Sequence, residues 1–189
     1  MLSSPSNTAA SFAPAFRRLL RWLRHALLAL VVILLLGYLI PERVMIPVQG
    51  AKRADWNPKS FWYEPWGPSG VHKGIDIFAK RGQPVLAATG GVVIYQGLFG
   101  AGGNVVAVLG PHWHVHYYAH LDASTDVPRF VSRGEQIGAV GSSGNAQGKP
   151  PHLHYAILSA VPQPWRITHE TQGWRKMYYL DPGELIGRS

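Results

Sequence analysis

At 189 residues, 47% hydrophobic and 15% charged, the chain holds enough apolar material for one domain with its own core plus a short appendage, and too little for two full domains. It contains no cysteine, which excludes disulfides, thiol nucleophiles and Cys-built zinc knuckles. The formal net charge of +8 splits evenly: residues 1–43 carry five Arg against Glu42, and the rest carries thirteen Lys and Arg against nine Asp and Glu. These cations are scattered singly along the body, which argues against a nucleic-acid partner and leaves weak attraction to an anionic polymer.

Residues 1–16 are rich in Ser, Ala and Pro and are expected to form a disordered tail. Residues 17–40 then read as a basic flank and a single transmembrane signal anchor. Residues 26–40 run fifteen positions without a charge, directly after Arg17, Arg18, Arg21 and Arg24. With the last two arginines snorkelling, the apolar stretch from Leu19 becomes long enough to span a bilayer. The one-sided arginine flank predicts a single pass with the N-terminus in the cytoplasm and the body delivered outside. A buried helix of a soluble protein seldom combines such a run with such a flank. A cleaved signal peptide is the closer competitor, but the nearest small-x-small triplet, Val48-Gln49-Gly50, lies well downstream of Pro41. An uncleaved anchor is expected.

Residues 41–66 lack periodicity and read as a linker with an aromatic cluster of Trp56, Phe61, Trp62, Tyr63 and Trp66. Such a cluster suits a substrate groove, a membrane interface or a cap on an open sheet end. Residues 67–189 are assigned to the domain proper. Short β-branched runs at 84–88, 91–96, 104–109, 113–118, 136–140 and 152–158 alternate with glycine turns, and Ile75-Asp76-Ile77 opens a further strand. Turn signals about every ten residues predict a mainly β fold, an antiparallel sheet or sandwich. No later stretch has helical periodicity.

Nine histidines concentrate the chemistry. In His72-Lys73-Gly74-Ile75-Asp76, a spacing of four puts the imidazole and the carboxylate on one face of a helix or a strand. In His152-Leu153-His154, followed by Tyr-Ala-Ile-Leu, the two imidazoles of a strand share a side. Two imidazoles and one carboxylate make the three-ligand set of a catalytic zinc, whose fourth position is left for water. Taken singly, each motif is also what surface or core histidines satisfied by carbonyls would show.

Three blocks, Val71-His72-Lys73-Gly74-Ile75-Asp76-Ile77, Tyr118-Ala119-His120-Leu121 and Pro151-His152-Leu153-His154-Tyr155, stand in that order, with Gly82-Gln83-Pro84-Val85 and Gly141-Ser142-Ser143-Gly144-Asn145 between them. In these, residues 67–158 and the Leu180-Asp181-Pro182 ending resemble the lysostaphin-type (LytM-like) zinc peptidoglycan endopeptidases. The resemblance implies a duplicated-hybrid-motif-like antiparallel β fold with a groove across it. It implies one zinc ion per chain held by His72, Asp76 and His154, with His120 and His152 acting on the water and the transition state. It further implies hydrolysis of peptide crosslinks in bacterial peptidoglycan, at D-amino-acid crosslinks or glycine bridges, by an enzyme on the outer face of the cytoplasmic membrane, facing the periplasm or wall. The alternative is a catalytically silent relative that activates or regulates another wall hydrolase; retention of all five residues favours the enzyme. The sequence names no protein partner.

Two segments depart from the family pattern: Gly148-Lys149-Pro150 before the H-x-H, and 161–179, which reads as an insertion. Both bear on specificity. Tyr118 is read as packing, with help to the transition state as the competing role. Ser142-Ser143 reads as a turn, not a serine-hydrolase elbow. His112, His114 and His116 alternate and are expected to be half-exposed strand residues near the rim of the site; a second metal ion is the reading they compete with.

Overall fold

A computed structural model describes residues 12–123 and 126–187. The predicted tail falls largely outside them; from Phe12 the chain is helical. The chain divides into two compact units, one ending at Leu39 and one beginning at Ile40. The first is helix α1, Phe12–Leu39. Among the described residues it is the one helix long and apolar enough to cross a membrane, over Ala15–Leu39. It stops where Ile40 precedes Pro41, because the proline ring drives the preceding residue out of helical geometry.

The second unit is mainly antiparallel β, as expected. Its strands are β1 (Ile75–Phe78), β2 (Pro84–Leu86), β3 (Gly91–Leu98), β4 (Asn104–Leu109), β5 (His114–Leu121), β6 (Phe130–Val131), β7 (Gln136–Ala139), β8 (His152–Ser159) and β9 (Tyr179–Leu180). One sheet runs β1-β8-β5-β4-β3-β6, with β9 also paired to β8; β2 and β7 form a separate pair. All six predicted runs are strands. The additional β6 and β9 are two residues each, too short for a period to register.

Register sets two faces. Ile75 pairs with Tyr155, which pairs with Tyr118, and Ile77 pairs with Leu153; all five are fully buried and build the core face. Asp76 pairs with His154, which pairs with Ala119, and Phe78 pairs with His152, so these residues share the opposite face. The stretch 41–66, read as a linker, contributes Val44, Val48 and Trp56 to the same core cluster as β1, β5 and β8. Their apolar side chains have no sheet period, so burial here was invisible to pattern reading.

Tyr118 is packing. Its ring is fully buried and its hydroxyl accepts the Ala88 backbone N–H at 2.8 Å. Burial raises its phenol well above the ordinary tyrosine range. Tyr118→Phe leaves that N–H buried and unpaired, and the expected cost is about 1–2 kcal/mol by denaturant unfolding, with metal binding unchanged.

Candidate metal centre

Candidate ligand atoms from two distant parts of the chain converge on the outer sheet face. His72 Nε2 lies 3.1 Å from Asp76 Oδ1 and 3.1 Å from His154 Nδ1, and His154 Nδ1 lies 2.8 Å from the same oxygen. His72 stands just before β1, Asp76 on it, and His154 opposite Asp76 on β8, so the strand pairing itself closes the cluster. Donors of a four-coordinate zinc are about 3.4 Å apart, so the set fits the ion.

Tautomers support the fit. The Ser60 carbonyl 2.9 Å from His72 Nδ1 can only accept, so that nitrogen carries the proton and Nε2 of the neutral ring turns a lone pair toward Asp76 and His154. Burial would raise the Asp76 carboxyl, but the contacts with His154 and His72 outweigh it and hold it far below the usual carboxylate range. Burial pushes the His154 imidazole below its ordinary value, against the pull of the Asp76 carboxylate.

The other two predicted histidines flank the His72, Asp76 and His154 cluster. Their rings are 5.1 Å apart, with His120 5.9 Å from the His154 ring and His152 Nε2 4.0 Å from Asp76 Oδ2. His152 Nδ1 donates to the Pro150 carbonyl at 2.8 Å and His120 Nδ1 to the Ser143 carbonyl at 2.9 Å. Both rings are thus fixed with Nε2 as the basic nitrogen. Burial, followed by the neighbouring His154 and His152, lowers His120 to about 4, so it is neutral at physiological pH.

His120 reaches this face through a break in the strand. Strict alternation would place it with His116 and Tyr118 on the core face. Between Val106 and Asn104 of β4, however, β5 runs from Tyr118 to Leu121, one residue more than its partner. His120 takes up the bulge with φ 64°, which re-aims its side chain. The turn that orients it is equally tight: a Cβ on Gly144 would sit 2.3 Å from the Ala101 carbonyl oxygen, an approach only glycine allows. Ser143 is therefore an orienting turn residue.

Several partners escaped the sequence: the Ser60, Ser143 and Pro150 carbonyls, which are backbone atoms carrying no residue signal, and Trp66, which stacks on His72 with centroids 4.1 Å apart. The aromatic cluster divides, Trp56 entering the core while Trp66 covers the His72 ring. The alternating histidines are not at the rim. His112 precedes β5 in a 3-10 turn, and His114 and His116 are buried on the core face, His116 beside Tyr155. Their period was read correctly, but which face the sheet buries was not.

Gly74 is enclosed by the centre. A Cβ there would lie 2.5 Å from the Tyr155 carbonyl oxygen and 3.0 Å from His154 Cε1. Gly74→Ala is expected to weaken zinc binding at least ~10-fold in a competition titration, because strand backbone cannot yield and the imidazole must.

Residues 70–164 match Peptidase family M23. A DD-carboxypeptidase/endopeptidase, Mpg, of Neisseria meningitidis is 42% identical over 85 residues, covering 45% of this chain and 19% of that protein. An L-Ala–D-Glu endopeptidase of Bacillus subtilis is 37% identical over 115 residues, covering 56% and 35%. The chain thus spans about a fifth to a third of the length of these curated relatives. The crystallised catalytic domain of lysostaphin from Staphylococcus simulans superposes with a TM-score of 0.50 at 28% identity, over 56% of this chain and 82% of that one. With the three motifs, the sheet order and the convergent His/Asp/His cluster all in place, the chain belongs to Peptidase family M23, the family of lysostaphin and LytM-type peptidases.

Proposed function

We propose that the protein is a zinc-dependent endopeptidase that hydrolyses peptide crosslinks of bacterial peptidoglycan, with His72, Asp76 and His154 holding the ion and His120 and His152 handling protons. The observation that carries this is the convergence of His72 Nε2, Asp76 Oδ1 and His154 Nδ1 within 3.1 Å of one another, beside two imidazoles with their Nε2 unsatisfied by backbone. A bound zinc ion supplies Lewis acidity, polarising a carbonyl and lowering the pKa of water toward ~7. His120 and His152 then act as general bases through Nε2. Protonated there, they become N–H donors for the leaving amine or the developing oxyanion.

The groove fits a slender peptide. The face bearing Asp76 and His154 continues along β5 and β8 past Tyr117 and Ala156. It reaches a cleft of about 410 Å³ lined by Val115, Leu158, Trp174 and Tyr178 among others. Trp174 and Tyr178 come from the segment 161–179, so this departure from the family pattern supplies a groove wall. Helix α1 with its arginine flank supports a single-pass anchor in the cytoplasmic membrane, N-terminus inside, with the domain facing the periplasm or wall.

The test incubates the full-length protein in detergent with sacculi of several crosslink types, with zinc or with a chelator, and analyses the muropeptides. Zinc-dependent loss of crosslinked species, with new amine termini, is expected. Retention on sacculi without any new termini would instead establish the silent, wall-binding relative.

A further inference from the structure

A second cluster of metal-ligating side chains lies on the opposite side of the sheet from the proposed catalytic centre, at the start of β5. Glu42, three positions beyond the last residue of α1, turns its carboxylate inward to 4% side-chain exposure. His114 Nδ1 lies 2.9 Å from one of its oxygens and 2.8 Å from the other, and His112 Nδ1 lies 3.7 Å from Oε2. One donor atom from each of Glu42, His112 and His114 falls within 4.8 Å of the others.

The cluster has the supporting layer that built metal sites have. His116 Nε2 is 3.1 Å from Glu42 Oε1, and its Nδ1 is 2.7 Å from the Tyr155 hydroxyl. A carboxylate only accepts, so Nε2–H donates to Glu42 and the Tyr155 O–H donates to Nδ1. His116 is thus a fully buried, satisfied donor that orients one carboxylate oxygen and leaves the other for a ligand role. The backbone beside it is fastened independently: Val44 bridges to Ile186, Met45 N–H donates to the Ala88 carbonyl, and Arg133 Nε donates to the Arg43 carbonyl.

His112 adds the third donor. At 3.7 Å its Nδ1 is beyond hydrogen-bond reach of Glu42, yet close to the ~3.4 Å that separates two donors on one tetrahedral ion. It is held there at a cost, since His112 (φ 55°) and Trp113 (φ 60°) are consecutive non-glycine residues in the left-handed region. Such strain is of order 1 kcal/mol or more per residue and persists where the surroundings demand it. The His112 and His114 rings meet edge-on at 85°, both with Nδ1 toward the carboxylate. His112 keeps 32% side-chain exposure, giving an ion a way in.

We propose that Glu42, His112 and His114 form a second site for a divalent transition metal, zinc by ligand type, which ties the residues following α1 to the start of β5. Its role is structural: it clamps the entry of the chain into the domain, and it raises the metal content from the one zinc of the M23 centre to two.

The test counts metal in the full-length protein in detergent, stripped by chelator and dialysed against zinc, by elemental analysis. Two equivalents per chain are expected for the wild type, one for His154→Ala, one for His112→Ala, and none for the two combined. One equivalent in the wild type, lost in His154→Ala and kept in His112→Ala, overturns the second site and leaves the hydrolase reading standing. One equivalent kept in His154→Ala and lost in His112→Ala supports the second site and removes the proposed catalytic ion. The comparison of wild type with His154→Ala decides the matter even if His112→Ala fails to fold; His112→Gln is the gentler variant. In His154→Ala, zinc is expected to slow tryptic cleavage after Arg43 at least tenfold, and an unchanged rate would overturn the clamp.

Discussion

His154→Ala is expected to abolish zinc binding at the M23 centre and to lower crosslink hydrolysis by ~10⁴-fold or more. The side chain supplies one of three donors at 2.8–3.1 Å, while His152, the nearest other histidine on β8, turns Nε2 to 4.0 Å from the Asp76 carboxylate and is held by its other nitrogen on the Pro150 carbonyl. Losing one of three protein ligands removes both the ion and the activated water. Competition titration with a chromophoric chelator reads the metal, and muropeptide release reads turnover. Hydrolysis above a tenth of the wild-type rate would show that the ion is held elsewhere.

His120→Ala is expected to do the opposite to the metal. The ring donates through Nδ1 to Ser143 and stands 5.9 Å from the His154 ring, outside the ligand cluster, so zinc content should be unchanged. Turnover should fall about 10²–10⁴-fold, the usual worth of a positioned proton-transfer group. Loss of metal in this variant would reassign His120 as a ligand. Alanine keeps the Cβ that makes φ 64° unfavourable and gives up the hydrogen bond to Ser143, so stability by denaturant unfolding is expected to fall by about 1 kcal/mol with the protein still folded. Reduced rate with retained metal in a folded protein separates a proton carrier from a metal ligand.

The two clusters share β5, which explains how one strand serves both. Residues 114, 116 and 118 point to the core face, where Glu42 and Tyr155 meet the histidines, while the bulge after Tyr118 delivers His120 to the catalytic face. Without the extra residue, His120 would turn toward the core with His116 and Tyr118 and leave the face that carries Asp76 and His154.

Much of this was legible from local pattern. The six runs of alternating or β-branched residues are strands because side-chain period and turn residues are properties of neighbours in the chain. His72 with Asp76, and His152 with His154, could be paired for the same reason. Burial of 41–66 could not, since an irregular segment has no period and its Val44, Val48 and Trp56 find their partners far along the chain. The His114–His116 stripe was read with the right spacing and the wrong exposure, because period identifies a face without saying what covers it; Glu42, more than seventy positions away, does.

What the amino-acid order alone determined is the kind of chemistry available: imidazoles and carboxylates at strand spacing, an apolar helix behind arginines, and no thiols. What the tertiary structure decided is which atoms meet. Strand register between β1 and β8 sets Asp76 against His154, a single bulge turns His120 outward, and the Ser60, Ser143 and Pro150 carbonyls select the nitrogen that His72, His120 and His152 present. These depend on contacts between residues distant in the chain, whose free energy arises only when the sheet is assembled.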